Sequence, residues 1–323
     1  RCVEEMKNAQ FGMRNAESER YAGPMHHTLR ATHLKRCIGV AAGIKNLGYS
    51  FGFPEQATAT VELFGATNVE SANVRVGVAE VGQGTHLAMR QIAAYELGLP
   101  LAAVKMITDD SSEAPNAGSA SASRLTLMAG RAVQDAARAA LARWRDEERP
   151  ARATFQYRPP ATTRLDPTTG EGTPNYAYGY AAQAVEVAVD TLTGQVEVLK
   201  IISVHDVGKA INKQQVEAQI EGALAQAVGY ALLENFQVRN GKVMTPYFSN
   251  YLLPTVLDMP TDVRPIIMEL ADPLGPSGAR GMAEMPMVPF AAAVSSAIHD
   301  AVGVWITDQP FTPERVLKAM RRK

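Results

Sequence analysis

One local pattern, met twice in succession, constrains this chain most: an apolar run, a polar loop of small residues, then a segment with helical periodicity. In the first instance Val74 to Glu80 runs into Val81-Gly82-Gln83-Gly84-Thr85, and helix spacing follows from His86 to Leu97, with Leu87, Ala88, Ile92 and Tyr95 on one face. In the second, Val104 to Thr108 reads as a strand and Asp109 to Arg124 as a polar loop ending GSASASR. Leu125 to about Asp146 then reads as a helix whose inward stripe is Leu125, Met128, Val133, Ala137, Leu141 and Trp144. Strand, small-residue loop and helix start together present backbone N–H groups to an anion. Gly82-Gln83-Gly84 lacks the third glycine of a dinucleotide fingerprint, and no Gly-Lys-Ser/Thr follows, so neither nucleotide motif is met. The small residues Gly118 to Ser123 suit a flat polar ligand pressed against main chain. A flexible linker of that composition would not end on a long, well-patterned helix.

The remaining pattern predicts an α+β chain, mixed sheets with packed helices in two subdomains. Residues 1–35 read as an N-terminal arm lying on a neighbour, and residues 36–157 as a first subdomain. Within the latter, Gly39 to Phe53 is glycine-rich and aromatic, fitting either a pocket wall or a glycine-punctuated buried strand, and Ala57 to Leu63 is strand-like. Residues 158–175, rich in Pro, Thr and Gly, form a linker, and residues 176–323 a second subdomain. There Ala182 to Val189 and Gln195 to Val204 read as a hairpin, and Lys213 to Leu233 as a long helix with Val216, Ile220, Leu224 and Val228 inward. A hairpin turns at Asn240-Gly241, a strand covers Val263 to Leu270, and helices are predicted from Phe290 to Val302 and from Thr312-Pro313 onward. Between the last strand and the Phe290 helix, ADPLGPSGARGMAEMPMVP crowds glycine and proline around one carboxylate, Glu284. Such a stiff loop either mounts a general base or is a surface loop with a solvated Glu.

Composition excludes several function classes. With 323 residues, 46% of them hydrophobic and a formal net charge of −1, the chain can bury a core but offers no broad field for nucleic acid or an anionic membrane. No apolar run approaches a membrane span, and the opening RCVEEMKNAQ lacks a signal-peptide pattern, so a cytoplasmic protein is expected. Cys2 and Cys37 form no CxxC, and His26-His27 and His33 have no acid or thiol at ligand spacing, so no metal is held directly by the protein.

Several stretches, in order, carry a resemblance: Gly48-Tyr49-Ser50-Phe51; Glu80-Val81-Gly82-Gln83-Gly84 with Gln91-Ile92-Ala93-Ala94; and Pro115-Asn116 through Gly130. They continue with Asp206-Val207-Gly208, Ile211-Asn212 and Gln219-Ile220-Glu221-Gly222, then Tyr251-Leu252-Leu253-Pro254-Thr255, Asp258-Met259-Pro260 and Gly278-Ala279-Arg280-Gly281 with Glu284. Together they span roughly residues 36 to 320, and the chain resembles the C-terminal half of the molybdenum-binding large subunit of the xanthine dehydrogenase and aldehyde oxidase family, as in split-subunit molybdenum hydroxylases such as nicotinate dehydrogenase. The resemblance implies molybdenum bound through a molybdopterin dithiolene, the pterin being the cytosine dinucleotide form common in bacterial members. It implies cofactor contacts at Gly82, Gln83, Gly84, Ser121, Ala122, Ser123, Arg124 and Gln219, a ring-stacking Phe51 in the substrate pocket, and Glu284 as catalytic base. In such an enzyme Glu284 would deprotonate the Mo–OH group, hydride would pass to the sulfido ligand, and water would supply the oxygen placed on an N-heteroaromatic or aldehyde carbon. The implied partners are a chain carrying the N-terminal half of the molybdenum subunit, an iron–sulfur subunit with [2Fe-2S] clusters and a subunit with FAD, assembled as a dimer of heteromers.

The sequence departs from the family where Gly-Glu-Pro becomes Ala283-Glu284-Met285 and where Val81 replaces a common Met. Ala283 is compatible with the fold only at negative φ. The chain is also short for the family's large subunit, which points to a split subunit or a partial chain acting only with partners. A non-catalytic cofactor-binding or assembly subunit is the alternative, and a metal-free hydrolase using Glu284 a weaker one that lacks a nucleophile–base pair.

Overall fold

The computed structural model describes residues 33–322, so most of the expected N-terminal arm, with Cys2 and His26-His27, lies outside the described residues. Two four-stranded sheets, each backed by helices, build the fold. The first contains β2 (Ala57–Gly65), β3 (Val69–Arg75), β4 (Val104–Ile107) and β5 (Ala151–Tyr157) in the order β4-β3-β2-β5. Only β3 and β4 run parallel, and α1 (Thr85–Leu97) is part of the crossover between them. Helix α2 (Leu125–Arg145) lies across β2 and β5 with α1 at its side. Its stripe is as the periodicity predicts, with Leu125, Met128, Val133, Ala137 and Trp144 buried, although Leu141 is only partly so.

The second sheet contains β1 (Leu34–Asn46), β6 (Tyr178–Asp190), β7 (Val196–Asp206) and β10 (Asp262–Met268) in the order β1-β6-β7-β10. Helix α3 (Lys213–Val228) lies within the crossover from β7 to the parallel β10, and α4 (Phe290–Val302) packs on β1 and β6. The fit is close enough that a Cβ built at Gly39 in β1 would sit 1.9 Å from the Ala293 carbonyl oxygen of α4. Phe290, Val294 and Ile298 of α4 and Ile220, Leu224 and Val228 of α3 are buried in this second core. The two-residue strands β8 (Val238–Arg239) and β9 (Lys242–Val243) flank Asn240 and Gly241, whose φ values of 49° and 75° make the primed turn expected of Asn-Gly. Helix α5 (Pro313–Met320) starts as predicted, with the Thr312 hydroxyl accepting the Arg315 N–H.

Three expectations are corrected. The strand read over Val74 to Glu80 is β3, which ends at Arg75; beyond it Gly77 donates to the Pro115 carbonyl at 2.7 Å, so the loop before α2 takes over the pairing. The long helix is α-helical only to Val228 and closes with a wider turn over Gly229–Leu233, where the Glu234 N–H reaches the Gly229 carbonyl at 2.8 Å. Sequence order also placed residues 36–46 in the first subdomain, whereas β1 pairs with β6 along its length and belongs to the second sheet. Long-range strand pairing overrides proximity in sequence.

Candidate functional site

A cleft of about 660 Å³ lies where the two halves meet. The start of α1, the turn before α2, one face of α3 and the Ala279–Glu284 loop line it. Of the residues singled out in the sequence, the fold brings together Gln83, Gly84, Ser121, Ala122, Ser123, Arg124, Gln219 and Glu284 in this lining; Gly82 and Phe51 are outside it.

The loop that carries Glu284 is fixed from within. Arg280 lies between two carboxylates, donating from Nη1 to Asp206 at 2.8 Å and from Nε to Asp272 at 2.9 Å, all three side chains being at most 9% exposed. Charge-assisted bonds in a buried triad fix geometry strongly, because no water competes for either partner. Gly281 then passes so close to the α2 entry that a Cβ there would sit 1.8 Å from the Ser123 carbonyl oxygen. Beyond Glu284, Met285 and Pro286 are buried, Met285 against Gly179 of β6, and the Pro286 carbonyl accepts a 2.7 Å bond from the buried Gln183 amide. Ala283 is not among the residues with positive φ, so the replacement of the family's glycine carries no backbone strain. The stiffening expected of proline after the acid is supplied by packing of Met285.

Glu284 is half exposed, yet one of its oxygens is held twice. Ser123 Oγ donates to Oε2 at 2.8 Å and accepts the Glu284 N–H at 3.2 Å, and the Lys45 ammonium lies 3.2 Å from the same Oε2. No partner for Oε1 is found among the described residues. Lys45 is a residue that sequence reasoning missed: nothing in the local pattern of β1 marks it, and only the folded sheet brings it to Glu284.

The turn before α2 is strained. Ala122 and Ser123 adopt φ of 51° and 50°, a left-handed conformation costly for residues with a Cβ. It is held by the Gly48 N–H, which donates to the Ala122 carbonyl at 2.9 Å, and by Arg124 beneath. The Arg124 guanidinium pairs with the buried Glu55 and donates to the Ala117 carbonyl at 2.6 Å and the Gln56 carbonyl at 3.0 Å. Glu55 also accepts the Tyr176 hydroxyl at 2.6 Å, which, after burial itself, is what raises the tyrosine pKa. Arg124 is 1% exposed, and its guanidinium is engaged by these internal partners, which shape the turn that lines the cleft.

At the Gly82–Gly84 loop the chain supplies its own anion. The Glu80 carboxylate accepts the N–H groups of Gly82 and Gly84 at 2.9 Å and of His86 at 3.0 Å. Burial alone would raise its pKa, but the three N–H donors outweigh burial and lower it. The helix N-terminus read as an anion site is therefore capped by Glu80, an acid placed just ahead of the helix start, and that placement is a signal the sequence did contain. Gln83 is likewise engaged within the loop, its Oε1 accepting the Val81 N–H at 2.6 Å and its Nε2 donating to the Ala79 carbonyl at 2.9 Å. The side chain of Gln219, on α3, makes no hydrogen bond among the described residues. Phe51 is 54% exposed with φ of 59°, on the loop where Tyr49 and Phe53 meet edge to face at 5.1 Å. Among the described residues no group of three or more His, Cys, Asp and Glu side chains is placed to hold a metal, and no helix is long and apolar enough to cross a membrane.

An α+β fold whose cleft joins apolar side chains such as Val207, Ile211 and Met282 to the hydroxyls of Ser121 and Ser123 and the amides of Gln215 and Gln219 has the make-up of a ligand-binding module, and the chain belongs to the molybdopterin cofactor-binding domain family, whose profile matches residues 14–149 and 139–260. Among curated relatives it is 29% identical over 326 residues to a probable xanthine dehydrogenase subunit of Bacillus subtilis, covering 90% of this chain and 43% of that one. The solved aldehyde oxidoreductase from Desulfovibrio gigas superposes with a TM-score of 0.83 at 26% identity, over 99% of this chain and 35% of that one. Quinoline 2-oxidoreductase from Pseudomonas putida 86 gives 0.76 at 26% identity, over 100% and 45%. The chain thus spans less than half the length of each of these proteins.

Proposed function

We propose that the chain is the part of a molybdenum hydroxylase that holds the molybdenum–pterin cofactor and mounts its general base, the complete enzyme oxidising an N-heteroaromatic ring or an aldehyde with water as oxygen source. The observation that carries this reading is the convergence on one cleft of Glu284, the Ser121–Arg124 turn and Gln219, from three separate regions of the chain. The cleft suits a pterin. Gln219 offers an amide with no partner among the described residues, Gly222 leaves open space where a Cβ would meet nothing within 4 Å, and apolar Ile211 and Val216 beside the amides of Gln215 and Gln219 suit a flat ring with polar edges.

In this reading Gln83, Gly84, Ser121, Ala122, Ser123 and Gln219 hold the pterin, taken to be the cytosine dinucleotide form, while Arg124 keeps the turn in shape. Gly82 contributes only to the loop's form, and Phe51 walls a substrate pocket that another polypeptide completes. Bound there, the cofactor supplies the two-electron acceptor and the oxygen donor of the reaction. Glu284 takes up the proton at Oε1, since Oε2 is engaged by Ser123 and Lys45. On partner subunits [2Fe-2S] clusters and FAD would accept the electrons, and a chain carrying the rest of the molybdenum subunit would complete the heteromer in the cytoplasm. Quantifying metal and pterin in the complex purified from its native source tests the reading. About one molybdenum and one pterin per copy of this chain are expected; a complex assembled without either would make the chain a scaffold.

A further inference from the structure

We propose that Lys45 is a positioning residue for Glu284, an inference that rests on Glu284 being the base. Lys45 stands one residue from the end of β1, and its ammonium has three acceptors: the Asn46 carbonyl at 2.7 Å, Asn46 Oδ1 at 3.2 Å and Glu284 Oε2 at 3.2 Å. Its side chain is 19% exposed, so it is no loose surface charge. Asn46 is itself anchored, its Nδ2 donating to the Gly48 carbonyl at 3.0 Å and to Ser50 Oγ at 2.9 Å. The ammonium is thereby referenced to the end of β1 and to the turn that follows it.

Glu284 needs such a reference. Its side chain is half exposed and has three rotatable bonds, and an unrestrained carboxylate of this kind samples several rotamers. Ser123 supplies an uncharged anchor from the α2 entry and Lys45 a charged one from β1, both on Oε2. Two anchors on one oxygen restrict the rotamers open to the carboxylate and leave the other oxygen to do chemistry, and a base works only when held within hydrogen-bond reach of the proton it takes. Isolated exposed ion pairs contribute little, but this pair is one member of a short charge-assisted cluster. Lys45 itself does not line the cleft, so it acts through Glu284 and not on the ligand.

The test compares Lys45→Met, Lys45→Arg and Glu284→Gln in the complete complex, with molybdenum content measured for each. Lys45→Met keeps length but loses charge, and kcat is expected to fall about tenfold or more with KM changed by less than about twofold and molybdenum retained. Lys45→Arg, which restores a cation able to reach the carboxylate, is expected to return kcat to within about threefold of the parent. An inactive Glu284→Gln enzyme beside a Lys45→Met enzyme of parental kcat would overturn the role of Lys45 while leaving the base in place. A fully active Glu284→Gln enzyme would remove the base itself. Loss of molybdenum from Lys45→Met, or an arginine variant as slow as the methionine one, would also overturn positioning by charge.

Discussion

The Ser123 hydroxyl is bonded to both ends of Glu284, donating to Oε2 at 2.8 Å while accepting the Glu284 N–H at 3.2 Å. One side chain thus couples the backbone of the acid-bearing loop to the orientation of the acid. Its own backbone is left-handed, so the coupling depends on a turn that the sequence adopts under strain. Strain at a position facing a cleft is tolerated where the surroundings hold it, and here the buried Arg124–Glu55 pair beneath the turn does so.

Glu284→Gln follows directly. Glutamine keeps the shape and can still accept from Ser123, so the loop and the cofactor content are expected to survive. The amide cannot take a proton at neutral pH, and turnover is expected to fall by about 10²–10⁴-fold. Steady-state kinetics on the assembled complex, together with its molybdenum content, check both halves of this expectation.

Gly281→Ala probes the join between the two loops. The added methyl would lie 1.8 Å from the Ser123 carbonyl oxygen, a backbone atom that cannot swing aside. One loop must move, and both belong to the cleft wall. Overpacking of this kind costs about 1–3 kcal/mol, so a lowered thermal midpoint is expected along with a lowered kcat as Glu284 shifts from Ser123. A variant with unchanged midpoint and rate would mean that the loops meet less tightly than this geometry requires.

How much of this was legible in the sequence depended on distance along the chain. Helix α2, the Asn240–Gly241 turn and the Thr312 cap were readable because periodicity, φ preference and capping act within a few residues. The β1–β6 pairing was not, since apolar alternation says that a strand has partners but not which. The same limit applies at the site. Glu284 stood out through the glycine and proline around it, whereas Lys45 has no such neighbourhood, and Ser123 and Glu284 are 161 positions apart. Arg124 was read as a cofactor contact, because the buried Glu55 with which it pairs lies 69 positions away and no local pattern joins the two.

Glu80 gives a local, pH-dependent prediction. Its carboxylate caps the N–H groups of Gly82, Gly84 and His86, and its pKa is lowered in the folded chain. A depressed folded pKa means that the contribution is complete above the unfolded value, near 4.3 for glutamate, and is lost as pH falls through the folded one. Hydrogen exchange at the first turn of α1 should therefore quicken as pH is lowered below about 4.3, after correction for intrinsic rates. In Glu80→Gln the same amides should exchange faster at neutral pH and show no such acid dependence.

His205 predicts a second window at higher pH. It is fully buried on β7, bonded to Ser203 Oγ at 2.7 Å, with no partner for Nδ1, and burial pushes its pKa down to about 4. The neutral ring is the form that fits, because a buried imidazolium would carry an unpaired charge. The unfolded chain binds a proton near pH 6.5 that the folded chain refuses until about pH 4, so stability is complete above 6.5 and falls through that interval, by on the order of 3 kcal/mol. Ser203 also accepts the Gln183 amide that donates to the Pro286 carbonyl, so the loss reaches the loop bearing Glu284. Denaturant unfolding at pH 7 and pH 5 measures it: the parent should lose stability between the two, and His205→Gln, less stable at pH 7, should lose much less. Equal losses in both proteins would place the pH dependence elsewhere.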